Sequence, residues 1–306
     1  MNRRDFLLTS AAAGLASGAS PVIGFGLGDY GLRALKTPDA IKLIAGIGYD
    51  AMEFTMMDGY PLESAKASAS LRKEVRQMVR DRNLAVPSLL EQVHIIGDDA
   101  TYKTSIERIK RDAQLGHDIS PGGKPPVVQT HLGGKDADWD KLKNMIVERL
   151  HGWAEAGRAT QTVVCIKGHN LNLMDTSERS AWVMKQVNSP WLRLLFDYSH
   201  YEATGEKLGD VMNRLLPYTA MISVKDARPK PGGVGFDRLL PGDGKVDYVD
   251  YYRRLIAANY KGNTVVEISG QIHSQPGYDP IATAKRCYSN VAPKMKLAGV
   301  QRPKRG

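Results

Sequence analysis

The sequence predicts a single (β/α)8, or TIM, barrel, and three observations predict it. From residue 21 onward, eight short apolar runs alternate with longer amphipathic stretches. Several of those runs are almost continuously apolar, as strands covered on both faces must be. No linker divides the 306 residues, and a hydrophobic content of 42% suffices for one large core. The rival arrangement, a doubly wound sheet, rests on the glycine-rich "GFGLGDYG" of residues 24–31, which lacks the later acidic ribose ligand in convincing context.

The strand candidates are "PVIGFGL", "YDAMEFT", "LAVPSLL", "PPVVQTH", "TVVCIK", "LRLLFDY", "AMISVK" and "NTVVEIS". Between them lie helical patterns. Thr37-Pro38 reads as an N-cap followed by a first-turn proline. "LRKEVRQMVRDR", "YKTSIERIKRDAQL", "WDKLKNMIVERLHGWAEA", "SERSAWVMKQV", "KLGDVMNRLL" and "VDYVDYYRRLIAA" repeat apolar residues at helical spacing. A last helix is expected through "PIATAKRCYSNVAPKMK", with a break at Pro293.

Residues 1–19 are set apart from the barrel of residues 20–306. Arg3-Arg4, then Phe6-Leu7-Leu8 and a run of small residues, read as a twin-arginine export signal. A periplasmic or extracytoplasmic location follows as an expectation; the alternative is an amphipathic N-terminal helix. No later run approaches the roughly 18 apolar residues of a membrane span. The net charge of +9 is dispersed except in the tail "KLAGVQRPKRG", expected to be a solvated end. No basic stripe with interleaved aromatics suggests nucleic-acid binding. Two cysteines, Cys165 and Cys287, make no disulfide framework.

Barrel chemistry gathers at the C-terminal ends of strands. There the sequence places Glu53, Glu91 with His94, His131, Lys167 with His169, Asp197 with His200, Lys225 with Asp226 and Arg228, and Glu267 with His273 beyond. Glu53 and Glu91 also suit a solvated rim, His131 a turn contact, and Asp226 with Arg228 a local ion pair. Asp197 and Glu267 interrupt apolar strands, where carboxylates are rare without a cation or donors.

"GYDAMEF", "FDYSH", "VKDAR" and "LPGDGKVDYVDYYRRLIAANYKGNTVVEISG" resemble the xylose-isomerase-like family of sugar isomerases and epimerases, over roughly residues 22 to 290. The resemblance implies a carbohydrate substrate and proton abstraction next to a carbonyl. It also implies a divalent metal (Mn, Mg, Zn or Co) held by Glu, Asp, His and Glu. Asp197 and Glu267 match two of those ligands, and His200 matches a substrate-touching histidine. The other two ligand positions hold Lys167 and Ser223. If a metal binds, Asp197 and Glu267 are its expected ligands. The ammonium of Lys167 is instead expected to supply positive charge there.

The catalytic set expected is therefore Lys167, Asp197, His200 and Glu267. The substrate-binding set is Glu53, Glu91, His131, His169, Lys225, Asp226 and Arg228. Alternatives are a lyase acting on oxidised (3-keto) glycosides, a Schiff base on Lys167, or a carbohydrate-binding barrel without catalysis. A homo-oligomer is compatible with the sequence.

Overall fold

Eight parallel strands close on themselves, in an order that follows the chain. The computed structural model describes residues 20–122, 124–231 and 235–304; the export signal expected at residues 1–19 lies outside them. The strands are β1 (Ile23–Gly28), β2 (Ala51–Thr55), β3 (Ser88–Leu90), β4 (Val127–His131), β5 (Val164–Lys167), β6 (Leu192–Asp197) and β7 (Thr219–Val224). A hairpin of β8 (Asp226–Pro229) and β9 (Phe236–Leu239) intervenes before β10 (Gly262–Val266) pairs with both β7 and β1. Each expected apolar run overlaps one barrel strand. The hairpin was not expected, because proline and glycine in "ARPKPGGVGFDRLL" erase any two-residue alternation.

Flanking helices cover the outside: α1 (Thr37–Ile47), α2 (Ala69–Asp81), α3 (Asp99–Ile119), α4 (Trp139–Thr160) and α5 (Ser177–Val187), then, after the short α6 (Tyr198–Glu202) at the mouth, α7 (Leu208–Leu215) and α8 (Tyr248–Ala257), and, after the single turn α9 (Gly270–His273) also at the mouth, α10 (Pro280–Leu297). Two expectations shift. Thr37 is the first helical residue and Lys36 the cap, so Pro38 takes the second position. Pro293 does not break α10. It lies on the exposed face, so the Ser289 carbonyl that it leaves without an N–H faces water.

Alternation along the strands separates two apolar regions. Ile166, Leu194, Phe196, Ile222 and Val266 face outward into the main core beneath the helices. Cys165, Leu195, Met221 and Val265 form a separate small cluster inside the barrel. With a period of two, the residues two positions further along these strands, Lys167, Asp197, Ser223 and Glu267, also face inward above that plug. Lys225 follows Ser223 by two more.

β1 lines its share of the interior with glycine. A Cβ on Gly26 would stand 3.0 Å from both the Cβ and the carbonyl oxygen of Ala51. At the other end of the chain, the expected solvated tail is partly tied down. Gln301 bridges to Val22, and Arg302 donates to Asp50 at 2.7 Å and to the Gly48 carbonyl at 2.7 Å.

Gly26→Val is expected to destabilise the barrel by about 1–3 kcal/mol, because the Ala51 carbonyl is backbone and cannot move aside cheaply. Urea unfolding should show a lower midpoint at an unchanged slope.

Candidate active site

Strand register brings two lysines and two carboxylates together. Val266 stands opposite Val224, so the next residues, Glu267 and Lys225, emerge side by side. Lys167 and Asp197 end the adjacent β5 and β6. Lys167 Nζ donates to Glu267 Oε2 at 2.5 Å, and Lys225 Nζ donates to Glu267 Oε1 at 2.6 Å. Lys225 Nζ also lies 3.1 Å from Asp197 Oδ2. All four side chains are at least nine-tenths buried. Burial works against the Lys167 ammonium, but Glu267 and Asp197 overcome it and hold its pKa above the usual value. Burial likewise works against the Glu267 carboxylate, and the two ammoniums pull it down to about 2.

Asp197 also shapes the turn that follows it. It caps α6, accepting the Ser199 hydroxyl at 2.7 Å and the Ser199 N–H at 3.2 Å. That turn returns His200, whose Nε2 lies 3.4 Å from Asp197 Oδ2. On its other side, His200 Nδ1 lies 2.8 Å from Asn170 Oδ1 and 3.0 Å from the Arg238 guanidinium. Burial, then His169, hold His200 well below the ordinary histidine value.

A cleft of 140 Å³ opens over this cluster. Lys167, Lys225, Glu267, His131, His169, His200, Glu91 and Arg238 contribute to its lining, with Tyr30. His131 and His169 stand as a pair with ring centroids 5.4 Å apart. His169 Nδ1 lies 2.8 Å from the Asn170 carbonyl, which can only accept, so Nδ1 carries the proton and Nε2 keeps its lone pair. His131 is the reverse: Asn172 Nδ2 faces its Nδ1 at 3.3 Å, leaving the proton on Nε2. Burial, then the Lys167 charge, depress both imidazoles, His131 to about 4 and His169 to about 3. The cleft therefore holds one neutral imidazole able to donate and one able to accept.

The remaining expected residues lie outside the charged cluster. Glu53 sits below the cleft floor, fully buried, accepting from Ser88 and from Gln129 at 3.2 Å. Burial raises it to about 7. Glu91 lines the wall, with both oxygens occupied by Arg108 at 2.9 and 3.2 Å. Asp226 turns away from the cleft to the N–H groups of Gly242 and Gly244 and the Tyr248 hydroxyl, fixing the loop before α8. Arg228 is exposed on the hairpin and pairs with Asp237 at 3.2 Å. His94 is exposed, while His273 packs edge-on against Tyr30 with centroids 4.8 Å apart. Sequence reasoning missed Arg238, Asn170 and Tyr30. Arg238 follows no strand of the barrel, and nothing local marks it.

A larger hollow of 910 Å³ lies at the opposite end, where the strands begin. Its lining includes Lys124 and Lys261 but no carboxylate or imidazole, so the polar chemistry belongs to the smaller cleft.

The residues at the mouth do not fit a divalent metal. Each Glu267 oxygen already accepts from an ammonium, and Asp197 Oδ2 faces Lys225. Where the resemblance puts a histidine ligand, Ser223 presents a buried hydroxyl without a hydrogen-bond partner. Among the described residues no group of three or more His, Cys, Asp or Glu side chains is placed to hold an ion. Two carboxylates and two ammoniums sum to zero, which leaves no net attraction for a cation.

Two outcomes are expected. Isothermal titration with Mn²⁺ should give no tight stoichiometric site in the wild type. Lys167→Glu with Ser223→His should bind at least about tenfold tighter, or about 1.4 kcal/mol; tight wild-type binding would refute the poor fit. The second concerns pH. Native His131 and His169 stay neutral down to about 4 and about 3, whereas the unfolded chain takes up protons below 6.5. The unfolded state then binds more protons, so these residues make stability fall as pH drops from 6.5 toward 4. The slope approaches about 2.7 kcal/mol per pH unit for the pair. Urea unfolding at stepped pH should show that slope reduced in His131→Gln/His169→Gln.

Comparison with known proteins agrees with this architecture. SgbU of Escherichia coli (strain K12), named as a candidate L-ribulose-5-phosphate 3-epimerase, is 22% identical over 256 residues, covering 80% of this chain and 87% of that one. An inosose dehydratase of Clostridium botulinum (strain Eklund 17B / Type B) is 22% identical over 51% of this chain, which spans 55% of the dehydratase. Among solved structures, the 3-keto-D-glucoside 4-epimerase YcjR of E. coli superposes with a TM-score of 0.70 at 14% identity, covering 89% of this chain and 99% of that one. The IolI protein with a bound zinc atom gives 0.73 at 17%, covering 90% and 99%. A family model described as xylose isomerase-like TIM barrel matches residues 41–286, and the chain belongs to that family.

Proposed function

We propose that the chain is a sugar or keto-sugar isomerase or epimerase that removes a proton next to a carbonyl. The observation that carries this reading is the pair of ammoniums on Glu267, facing a neutral imidazole with a free Nε2. Lys167 and Lys225 would donate to the substrate carbonyl oxygen and to the negative charge it gains as the enediolate forms. His169 Nε2 would accept the proton leaving the neighbouring carbon. Return of a proton to the adjacent carbon gives an isomer, and to the opposite face of the same carbon an epimer. Glu267 orients both lysines; at about 2 it is a poor base.

The low pKa of His169 is compatible with this role. After burial, the charges of Lys167 and Lys225 depress it. An oxyanion developing between those ammoniums and the ring offsets them, so the imidazole gains basicity as the proton moves. Names of the relatives support carbohydrate substrates, and epimerases are among them.

A second reading draws on the donor tautomer of His131. Loss of the same α-proton to His169, followed by departure of a β-oxygen that His131 Nε2–H hydrogen-bonds and the His169 imidazolium protonates, would be an elimination, as the name of the dehydratase relative suggests for that protein. Export, taken from Arg3-Arg4 and the apolar run behind them, would place either activity outside the cytoplasm.

Proton NMR in D₂O tests the proposal on a panel of ketoses and 3-keto glycosides. Deuterium should appear at the carbon beside the carbonyl, and chelators should leave the rate unchanged. His169→Gln should lower it by roughly 10²–10⁴-fold. Exchange without loss of a group supports isomerisation, while an unsaturated product supports elimination. Binding without exchange across the panel would leave a carbohydrate-binding barrel in place of an enzyme.

A further inference from the structure

We infer that the natural substrate is an acidic sugar, and that Arg238 receives its carboxylate. The inference rests on reading the cleft as a carbohydrate site, and it concerns which carbohydrate enters.

Charges around the cleft pair off, with one exception. Lys167 and Lys225 balance Glu267 and Asp197. Arg108 balances Glu91. Arg238 also lines the cleft, yet among the described residues its guanidinium contacts only neutral groups: the Ser199 carbonyl at 3.1 Å, Asn170 Oδ1, and His200 Nδ1 at 3.0 Å. Among the described residues no carboxylate oxygen comes within 4.0 Å of it. Asp197, Glu267 and Glu202 act on it from a distance, but both Glu267 oxygens and Asp197 Oδ2 are already engaged with the lysines, and Glu202 accepts from the Ala227 N–H at 3.3 Å.

A largely buried cation without a counter-charge is costly, and proteins seldom keep one without a use. Its placement is also built. The hairpin that carries it is fixed where Arg238 N–H donates to Gln271 Oε1 at 2.9 Å, and the side chain is braced on α6 and Asn170. The planar guanidinium has donors beyond those three contacts, and a carboxylate is the group whose geometry they match. The charge count favours a monoanion: one unmatched guanidinium balances one carboxylate, whereas a phosphomonoester brings ≈ −1.5 to −2 at neutral pH. Arg238 is on this reading a binding residue that orients the sugar so that its carbonyl meets Lys167 and Lys225.

Calorimetric titration of the full chain tests this with three uronates (gluco, galacto and manno), their uronamides, and the matching hexose 6-phosphates. The amide keeps the shape of the acid and removes the charge. At least one acid should bind about tenfold or more tighter than its amide, a preference that falls with added salt. Arg238→Gln should erase the preference, and Arg238→Lys should restore part of it. The wild-type comparison stands even if a variant fails to fold. No acid preference anywhere in the panel, or tighter binding of the phosphates, overturns the inference. Failure of the proton-transfer reading looks different. Acids that bind tightly but exchange no deuterium, in their keto forms, would refute that reading and keep Arg238 as the carboxylate site. Exchange on neutral keto sugars without an acid preference would do the opposite.

Discussion

Glu267 held between two ammoniums is the constraint on which the mouth of this barrel depends. A carboxylate at the end of a buried strand is expensive unless donors meet both oxygens, and here each oxygen has one. Lys167 depends on it in turn, since burial works against its ammonium and Glu267 is the first charge that overcomes it. Asp197 closes the set through Lys225, and the sum is zero. Register enforces this arrangement, because the two-residue period that seals the barrel with Cys165, Leu195, Met221 and Val265 also lifts the charged residues into one layer above.

That layer changes what the family's architecture can do in this chain. A divalent ion polarises an oxygen as a Lewis acid and imposes its own coordination geometry. Two ammoniums offer hydrogen bonds instead, directed and softer, with geometry set by the side chains anchoring them. An ammonium can also exchange a proton, which a metal cannot. On the proposed reading, the site keeps the strand positions that the resemblance gives to a metal centre while resting on hydrogen-bond donation and charge balance.

Much of this was legible in the sequence, for identifiable reasons. Strands buried on both faces leave continuous apolar runs, and all eight could be read from them. Asp197 and Glu267 stood out because each interrupts such a run, and Lys167 because it ends one at a ligand position of the resemblance. Lys225 was placed at the site but not in the charged core, since its pairing with Glu267 depends on the register of β10 against β7, which no local pattern encodes. Asp226 misled because a carboxylate after a strand looks the same whether it faces a substrate or holds the backbone N–H groups of Gly242 and Gly244. Arg238 was invisible: its hairpin carries no periodicity, and the groups that surround it come together only in three dimensions.

Glu53 shows how far charge balance reaches below the mouth. It occupies the middle of the barrel, where β1 supplies glycine; a Cβ on Gly28 would stand 3.0 Å from Glu53 Oε1. Ser88 and Gln129 both serve Oε2, and Oε1 has no donor. Burial is the largest influence on it, raising it to about 7, while Glu267 pushes the same way and Lys167 opposes. A third full negative charge beneath a balanced quartet would draw on the lysines that hold Glu267. Kept protonated on Oε1 below that pH, Glu53 fills the interior as a neutral group and leaves both ammoniums committed upward, toward the cleft. The polar interior of the barrel is thus tolerated because its charges cancel in the layer where they are needed and are suppressed in the layer below.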